Sequence, residues 1–247
     1  MPFIVGTSGW DYAHWRGIFY PPRMPDRLAF YAGRFPTVEV NGTFYRLPEK
    51  RVFRDWERRT RADFVFAVKA SRFLTHLRRL DSPRAPVRRL LSRVDGLGAK
   101  LGPILLQLPP GFPADLDRLE ETLAAFGDRR VAVEFRDESW FSRDVRQLLE
   151  RYDAAFCIAD RNSRLVTPAW RTADWGYVRF HGGTGTPPGG YGRTSLRARA
   201  GLLAGMFEPE RDVFVYFNND GHGCALRDAT RFARLVDGTA AVRRQAA

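Results

Sequence analysis

Four triplets in this sequence carry ionisable or amide side chains two residues apart around an apolar centre. They are Glu39-Val40-Asn41, Lys69-Ala70-Ser71, Glu134-Phe135-Arg136 and Arg179-Phe180-His181. Gathered in one place, two carboxylates, a lysine, two arginines and a histidine could perform acid–base chemistry on an anionic molecule. Glu39 and Glu134 are the candidate acid and base, with His181 as a second proton carrier. Arg136 and Arg179 would grip the anionic group. Lys69 draws particular notice, because only three of the 40 basic residues are lysines (Lys50, Lys69 and Lys100). A compact amine that deprotonates readily when buried can serve as a base or a Schiff-base nucleophile. The competing reading of Lys69 is an ion pair with Glu39 or a neighbouring carboxylate. Asn41, Gln107 and Asn218 would add polar contacts to a substrate, and Trp10, Tyr45 and Trp140 would wall its pocket.

This chemistry requires elements that bring the triplets together. Alternate residues of a β-strand face opposite sides, so the two polar members of each triplet share a side and the apolar one faces away. Each triplet closes a short apolar run. Eight such runs occur, at Phe3–Thr7, Thr37–Asn41, Phe64–Lys69, Pro103–Leu108, Arg130–Phe135, Ala154–Ala159, Gly176–Phe180 and Asp212–Phe217. Helical spacing fills most of the gaps. Val87, Leu90, Leu91, Val94 and Leu97 follow Ser82-Pro83, which reads as an N-cap and first-turn proline. Leu116, Leu119, Leu123 and Phe126 repeat the pattern, as do Ala225, Ala229, Phe232 and Val236. Eight strands alternating with helices in 247 residues predict an α/β chain forming a single (β/α)8 TIM-type barrel over residues 1–247. Asp160–Asp174, broken by Pro168, makes it irregular between the sixth and seventh strands. The tail from Arg243 to Ala247 is expected to fray. The polar pairs then ring the C-terminal mouth, where barrel enzymes hold their active sites. The competing reading is that these charges cap the barrel by pairing with one another.

Composition narrows the function classes. A hydrophobic fraction of 44% excludes a mostly disordered chain. Two cysteines, Cys157 and Cys224, exclude a disulfide scaffold and a zinc site built from four cysteines. No apolar run reaches the roughly 18–20 residues of a membrane span, and the start lacks signal-peptide features. A soluble, cytoplasmic protein without membrane partners is expected; its oligomeric state is not legible. The net charge of +12 is concentrated, since residues 51–94 hold 13 basic and four acidic side chains. That stretch supports an alternative function, a nucleic-acid binder or endonuclease-like phosphodiesterase, although solvated helix faces account for it equally well. No His-x-x-x-His spacing occurs, and cations adjoin Glu39, Glu134, Asp160 and His181, so no metal or other cofactor is expected. Six glycines between His181 and Gly192 suggest either a phosphate-binding loop or a lid. His222 and Cys224 could make an activated thiol, or Cys224 could simply be packed. A glycosidase using Glu39 and Glu134 is a third reading, and it fails if arginines lock both carboxylates.

The opening Gly6-Thr7-Ser8-Gly9-Trp10-x-Tyr12-x-x-Trp15-x-Gly17-x-Phe19-Tyr20-Pro21 resembles that of the YecE-like proteins, domain of unknown function 72. Further matching blocks are Glu39-Val40-Asn41-Gly42-Thr43-Phe44-Tyr45-Arg46-Leu47-Pro48, Phe66-Ala67-Val68-Lys69-Ala70-Ser71 and Gly102-Pro103-Ile104-Leu105-Leu106-Gln107-Leu108-Pro109-Pro110. Glu134-Phe135-Arg136-Asp137-x-Ser139-Trp140 and Tyr216-Phe217-Asn218-Asn219-Asp220 complete the set, in order along nearly the whole chain. The resemblance implies a TIM-type barrel with its site at the strand C-termini. It brings no established reaction; at fold level the family has been likened to metal-dependent endonuclease barrels. Cys224 and the glycine–proline loop after His181 depart from the family pattern. From the residues, the expected function is an enzyme of hydrolase or lyase type, taking a small anionic, phosphate-bearing substrate.

Overall fold

A computed structural model describes residues 3–245, with side chains described for residues 3–237. Nine strands form in chain order: β1 (Phe3–Ser8), β2 (Thr37–Val40), β3 (Val65–Lys69), β4 (Leu101–Gln107), β5 (Val131–Glu134), β6 (Ala155–Arg161), β7 (Arg164–Leu165), β8 (Gly176–Phe180) and β9 (Val213–Phe217). Eight of them pair in parallel in the order β5-β4-β3-β2-β1-β9-β8-β6, and β6 returns to β5 to close the barrel. The two-residue β7 runs antiparallel to the end of β6. Asn162 and Ser163 make that turn with φ of 53° and 58°, the primed geometry that suits a tight hairpin. This hairpin is the irregularity expected between residues 160 and 174.

Eight helices complete the barrel: α1 (Arg27–Ala32), α2 (Gly42–Tyr45), α3 (Lys50–Arg58), α4 (Arg84–Val94), α5 (Leu116–Phe126), α6 (Arg143–Arg151), α7 (Arg193–Met206) and α8 (Cys224–Gln245). Asp26, Asp115 and Ser142 cap α1, α5 and α6 by accepting the N–H of Ala29, Arg118 and Val145. The cap expected from Ser82 does not form. Ser82 sits at φ 47° with its hydroxyl toward Asp81, and Pro83 precedes α4 without a side-chain cap. Of the tail expected to fray, residues 243–245 continue the backbone of α8, and residues 246 and 247 lie outside the described residues.

Strand alternation sorts the core into two bodies. Val38, Val40, Phe66, Val68, Ile104, Leu106, Val133, Phe135, Val178, Phe180, Val215 and Phe217 face outward into one apolar cluster with the helices. Ala67, Leu105, Ala132, Ala155, Cys157, Tyr177, Phe214 and Tyr216 form a second cluster inside the barrel. Small residues on β3, β5 and β6 leave room there for the large rings of β8 and β9. The Tyr216 hydroxyl meets Thr37 Oγ1 at 2.7 Å in this interior. Gly6 permits close approach of β1 and β2, since a Cβ there would lie 2.2 Å from the Thr37 carbonyl oxygen. Above this packed layer the strand ends turn polar together. Ser8 stands beside Glu39 in register and Gln107 beside Glu134, with Lys69 and Arg179 completing the layer.

Candidate functional site

Arg179 occupies the centre of that polar layer and is fully buried. Its Nη2 donates to Glu39 Oε1 at 2.8 Å, and its Nη1 donates to Glu134 Oε2 at 2.5 Å. The remaining lone pairs of both carboxylates are also engaged. Glu39 accepts from the Ser8 and Tyr177 hydroxyls, each at 2.6 Å. Glu134 accepts from Gln107 Nε2 at 2.9 Å, from both Nε and Nη2 of Arg136 at 3.2 Å, and from His181 Nε2 at 3.0 Å. Burial pushes each carboxyl upward, and the Arg179 guanidinium with these donors outweighs it, holding Glu39 below and Glu134 well below the ordinary carboxylate range.

Both carboxylates, expected from sequence as an acid and a base, are held in their charged form by this network. The glycosidase reading fails with them, because Arg179 locks the pair. Both ring nitrogens of His181 also have partners in this network. The Asn218 amide nitrogen lies 3.2 Å from His181 Nδ1, and His181 Nε2 lies 3.0 Å from Glu134 Oε1.

Lys69 is the exception in this ring. No carboxylate lies within ion-pair distance of its ammonium among the described residues, so the expected pairing with Glu39 does not form. Its Nζ donates to Gln107 Oε1 at 2.9 Å and lies 4.2 Å from the centre of the Phe44 ring. The orientation of the Gln107 amide is fixed, because its nitrogen must face the acceptor-only Glu134. Burial and the nearby Arg179 charge bring the Lys69 amine down from its ordinary value to about 8, against the pull of Glu39 and Glu134.

Above this layer the mouth divides in two. The larger cavity, about 620 Å³, lies over β1 to β3 and is lined by Trp10, Tyr12, Asn41, Tyr45, Arg46, Trp56, Lys69, Arg179 and Asn218, among others. Trp10 and Trp56 pack edge to face at 5.1 Å. Tyr45 is 81% exposed and forms the rim. The smaller cavity, about 250 Å³, lies over β5, β6 and β8, where Glu134, Arg136, Glu138, Arg161 and His181 face it. Of the residues singled out in the sequence, Trp10, Asn41, Tyr45, Lys69, Arg179 and Asn218 meet at the larger cavity. Glu134, Arg136 and His181 meet at the smaller one. Glu39 and Gln107 lie beneath, as supports.

Several expectations need correction. Trp140 is not a pocket wall; it is fully buried, stacked on Phe135 at 4.7 Å, with its N–H donated to the Phe112 carbonyl. The glycine loop, expected as a phosphate cradle or a lid, spends several of its amides on its own fold. Gly183 N donates to Gly189 O, Gly185 N to Gly190 O, Gly190 N to Pro187 O and Tyr191 N to Asp228. Asp160 is held by Arg199 Nε at 2.6 Å and by the Tyr191 hydroxyl, away from Glu39 and Glu134. The Cys224 thiol is not activated: burial pushes it up. The arginines of residues 51–94 are partly neutralised, as Arg59, Arg61, Arg78, Arg84 and Arg93 pair with surface carboxylates. Among the described residues no group of three or more His, Cys, Asp or Glu side chains converges, and no helix is long and apolar enough to cross a membrane.

Sequence reading missed two parts of this mouth. Arg46, just past α2, and Trp56, on α3, reach the larger cavity from outside the strand-end triplets. His76 lies on a π-turn at Phe73–Leu77, its ring edge to face with Phe44 at 4.9 Å. Burial and the charges of Lys69 and Arg136 lower it to about 4, so it is neutral at pH 7. Only the overlap of π-turn and strand end could have flagged it.

The molecule is thus a closed parallel barrel whose C-terminal mouth carries a buried Glu–Arg–Glu network beneath an open aromatic cavity. Residues 4–247 match the family described as Protein of unknown function DUF72, and the chain belongs to it. It is 27% identical to the UPF0759 protein YunF of Bacillus subtilis (strain 168), over 94% of each chain. A DUF72 family protein from Thermotoga maritima MSB8 superimposes with a TM-score of 0.83 at 26% identity, covering 96% of this chain and 100% of that one. Another from Enterococcus faecalis V583 gives 0.75 at 20% identity, covering 86% and 88%; that likeness concerns the fold alone.

Proposed function

We propose that the larger cavity is the substrate site of an enzyme acting on a small anionic molecule, with Lys69 as the group that moves the proton. The observation that carries this reading is Lys69 itself. It is the half-buried amine on the cavity wall, close to neutrality in its proton affinity, and without a carboxylate partner among the described residues. A base poised near the operating pH is what general acid–base catalysis requires. Arg46, which also lacks a carboxylate partner among the described residues, would meet a phosphate or carboxylate group at the rim. Trp10, Tyr45 and Trp56 would take the substrate's ring or carbon chain. Glu39 and Glu134 hold Arg179 in place, and Arg179 in turn depresses Lys69.

A thermal-shift screen of anionic metabolites, sugar phosphates and carboxylates among them, tests the reading. Compounds that stabilise the unaltered protein should fail to stabilise Lys69→Met. A screen in which no anion stabilises the protein, or in which Lys69→Met responds equally, would overturn it.

A second reading, binding of a single-stranded nucleic acid through the basic 51–94 region, draws on the exposed Tyr45 and half-exposed Phe73, each followed or preceded in sequence by an arginine, Arg46 and Arg72. Affinity that falls steeply with salt would support it, and no affinity at low salt would remove it.

A further inference from the structure

Lys69 is placed to do more than move a proton. Its Nζ gives one hydrogen to Gln107 Oε1, whose amide is held by Glu134, which Arg179 and Arg136 hold in turn. The amine is thus anchored from one side, and it lines the wall of the larger cavity. The groups that act on it electrostatically are Arg179 and Arg136, which repel its proton, and Glu39 and Glu134, which attract it. His76, neutral beside it, adds no charge at pH 7. Phe44 lies against the ammonium and Trp10, Tyr12, Tyr45 and Trp56 surround the cavity, so a product formed there would be shielded from bulk water on several sides.

We propose that Lys69 captures a carbonyl carbon, and that the substrate class is a small aldehyde or ketone bearing an anionic group. The proposal rests on the cavity being the substrate site. The Nζ lone pair would form a bond to the carbonyl carbon while the C=O π pair moves onto oxygen. The two amine protons leave with that oxygen as water, one of them already transferred to it, and the C=N bond remains. Protonated from solvent, this iminium accepts the electron pair of a C–H bond at the adjacent carbon as water takes that proton; the enamine so formed regains a proton at that carbon from solvent, restoring the C=N bond. Hydrolysis returns the amine. No oxidant or reductant enters, and atoms balance as one water out and one water in.

The chain's three lysines make the test direct. Lys50 pairs with Asp95 at the surface, and Lys100 is bound by the carbonyls of Glu57 and Thr60. Both serve as internal references. The whole protein is treated with glyoxylate, a small anionic aldehyde, and cyanoborohydride, and the adducts are mapped by peptide mass spectrometry. An amine titrating near 8 has more of its free form at pH 7 but lower intrinsic nucleophilicity, leaving a net advantage of roughly tenfold. Lys69 should therefore label roughly tenfold faster than Lys50 and Lys100, more slowly with acetaldehyde, and more slowly when inorganic phosphate is present. Equal labelling of the three lysines would overturn the imine; stabilisation by phosphate, lost in Lys69→Met, would then still leave the cavity reading standing. Fast labelling by both aldehydes, unaffected by phosphate, would overturn the anionic substrate class. Slow labelling together with no stabilisation by any anion would overturn both readings.

Discussion

Replacing Arg179 by methionine removes the one cation that the buried Glu39 and Glu134 share. The methionine fills similar volume, so the change is electrostatic before it is steric. Removing one partner of a buried ion pair costs roughly 3–5 kcal/mol, because it leaves an uncompensated charge out of water. For a domain of this size each kcal/mol moves the melting temperature by about 2–4 °C, so a fall of about 6–20 °C is expected at pH 7. The sign of the pH dependence should also invert. In the unaltered protein both carboxyls titrate below their unfolded value of about 4.3, so their contribution is present above that pH and lost below it. Without Arg179, Glu39 keeps no ion-pair partner among the described residues and should titrate above that value, while Glu134 keeps Arg136; the folded state then binds an extra proton at Glu39, and stability rises as pH falls from 7 toward 5. Thermal unfolding followed by circular dichroism between pH 5 and 8 measures both effects. Glu39→Gln in the Arg179→Met background should recover part of the loss, because Glu39 is the carboxylate left without an ion-pair partner among the described residues. A melting point within about 2 °C of the parent, or a pH slope of the same sign, would refute the reasoning about how this network is held.

Three further outcomes are expected. Lys69 titrates lower in the folded state than its unfolded value of about 10.4, so the unfolded chain binds more protons between about 8 and that value and stability should rise across the window; Lys69→Met should abolish the rise and leave the protein as stable at pH 7 or about 1 kcal/mol more so, by denaturant titration. Trp140→Phe strands the Phe112 carbonyl and should cost about 1–3 kcal/mol of stability while leaving anion binding by calorimetry unchanged. Tyr45→Ala should change stability by less than about 0.5 kcal/mol yet weaken the binding of ring-bearing anions, since its exposed ring packs on Phe44 but closes only the cavity rim.

The fold was legible because its signals are local. Each strand is a short apolar run, and the polar residues two apart at four strand ends reveal which face turns inward. The hairpin at Asn162-Ser163 was readable only as an irregularity, because a two-residue strand has too few positions for a pattern. Which polar residues gather at the mouth was legible, and how they pair there was not. Spacing places Glu39, Lys69, Glu134 and Arg179 in one ring, but which cation takes which carboxylate depends on side-chain reach across the barrel. Arg179 extends far enough to hold both, and that frees Lys69. Trp140 shows the converse error: a residue just past a strand end folds back under the loop and fills the core. The pairing inside the glycine loop was hidden for a related reason, as several amides that look free in sequence are consumed by a hairpin of the loop's own.

Everything proposed for this mouth turns on Lys69, an amine of lowered proton affinity on the cavity wall with no carboxylate partner among the described residues. Selective 13C labelling at the lysine Cε, with the resonance assigned by its absence in Lys69→Arg, follows that amine directly through a pH titration. A midpoint at about 8 is expected for Lys69, moving upward in Arg179→Met as the repelling charge is removed. A midpoint at the ordinary lysine value, unchanged in Arg179→Met, would contradict this reading of Lys69.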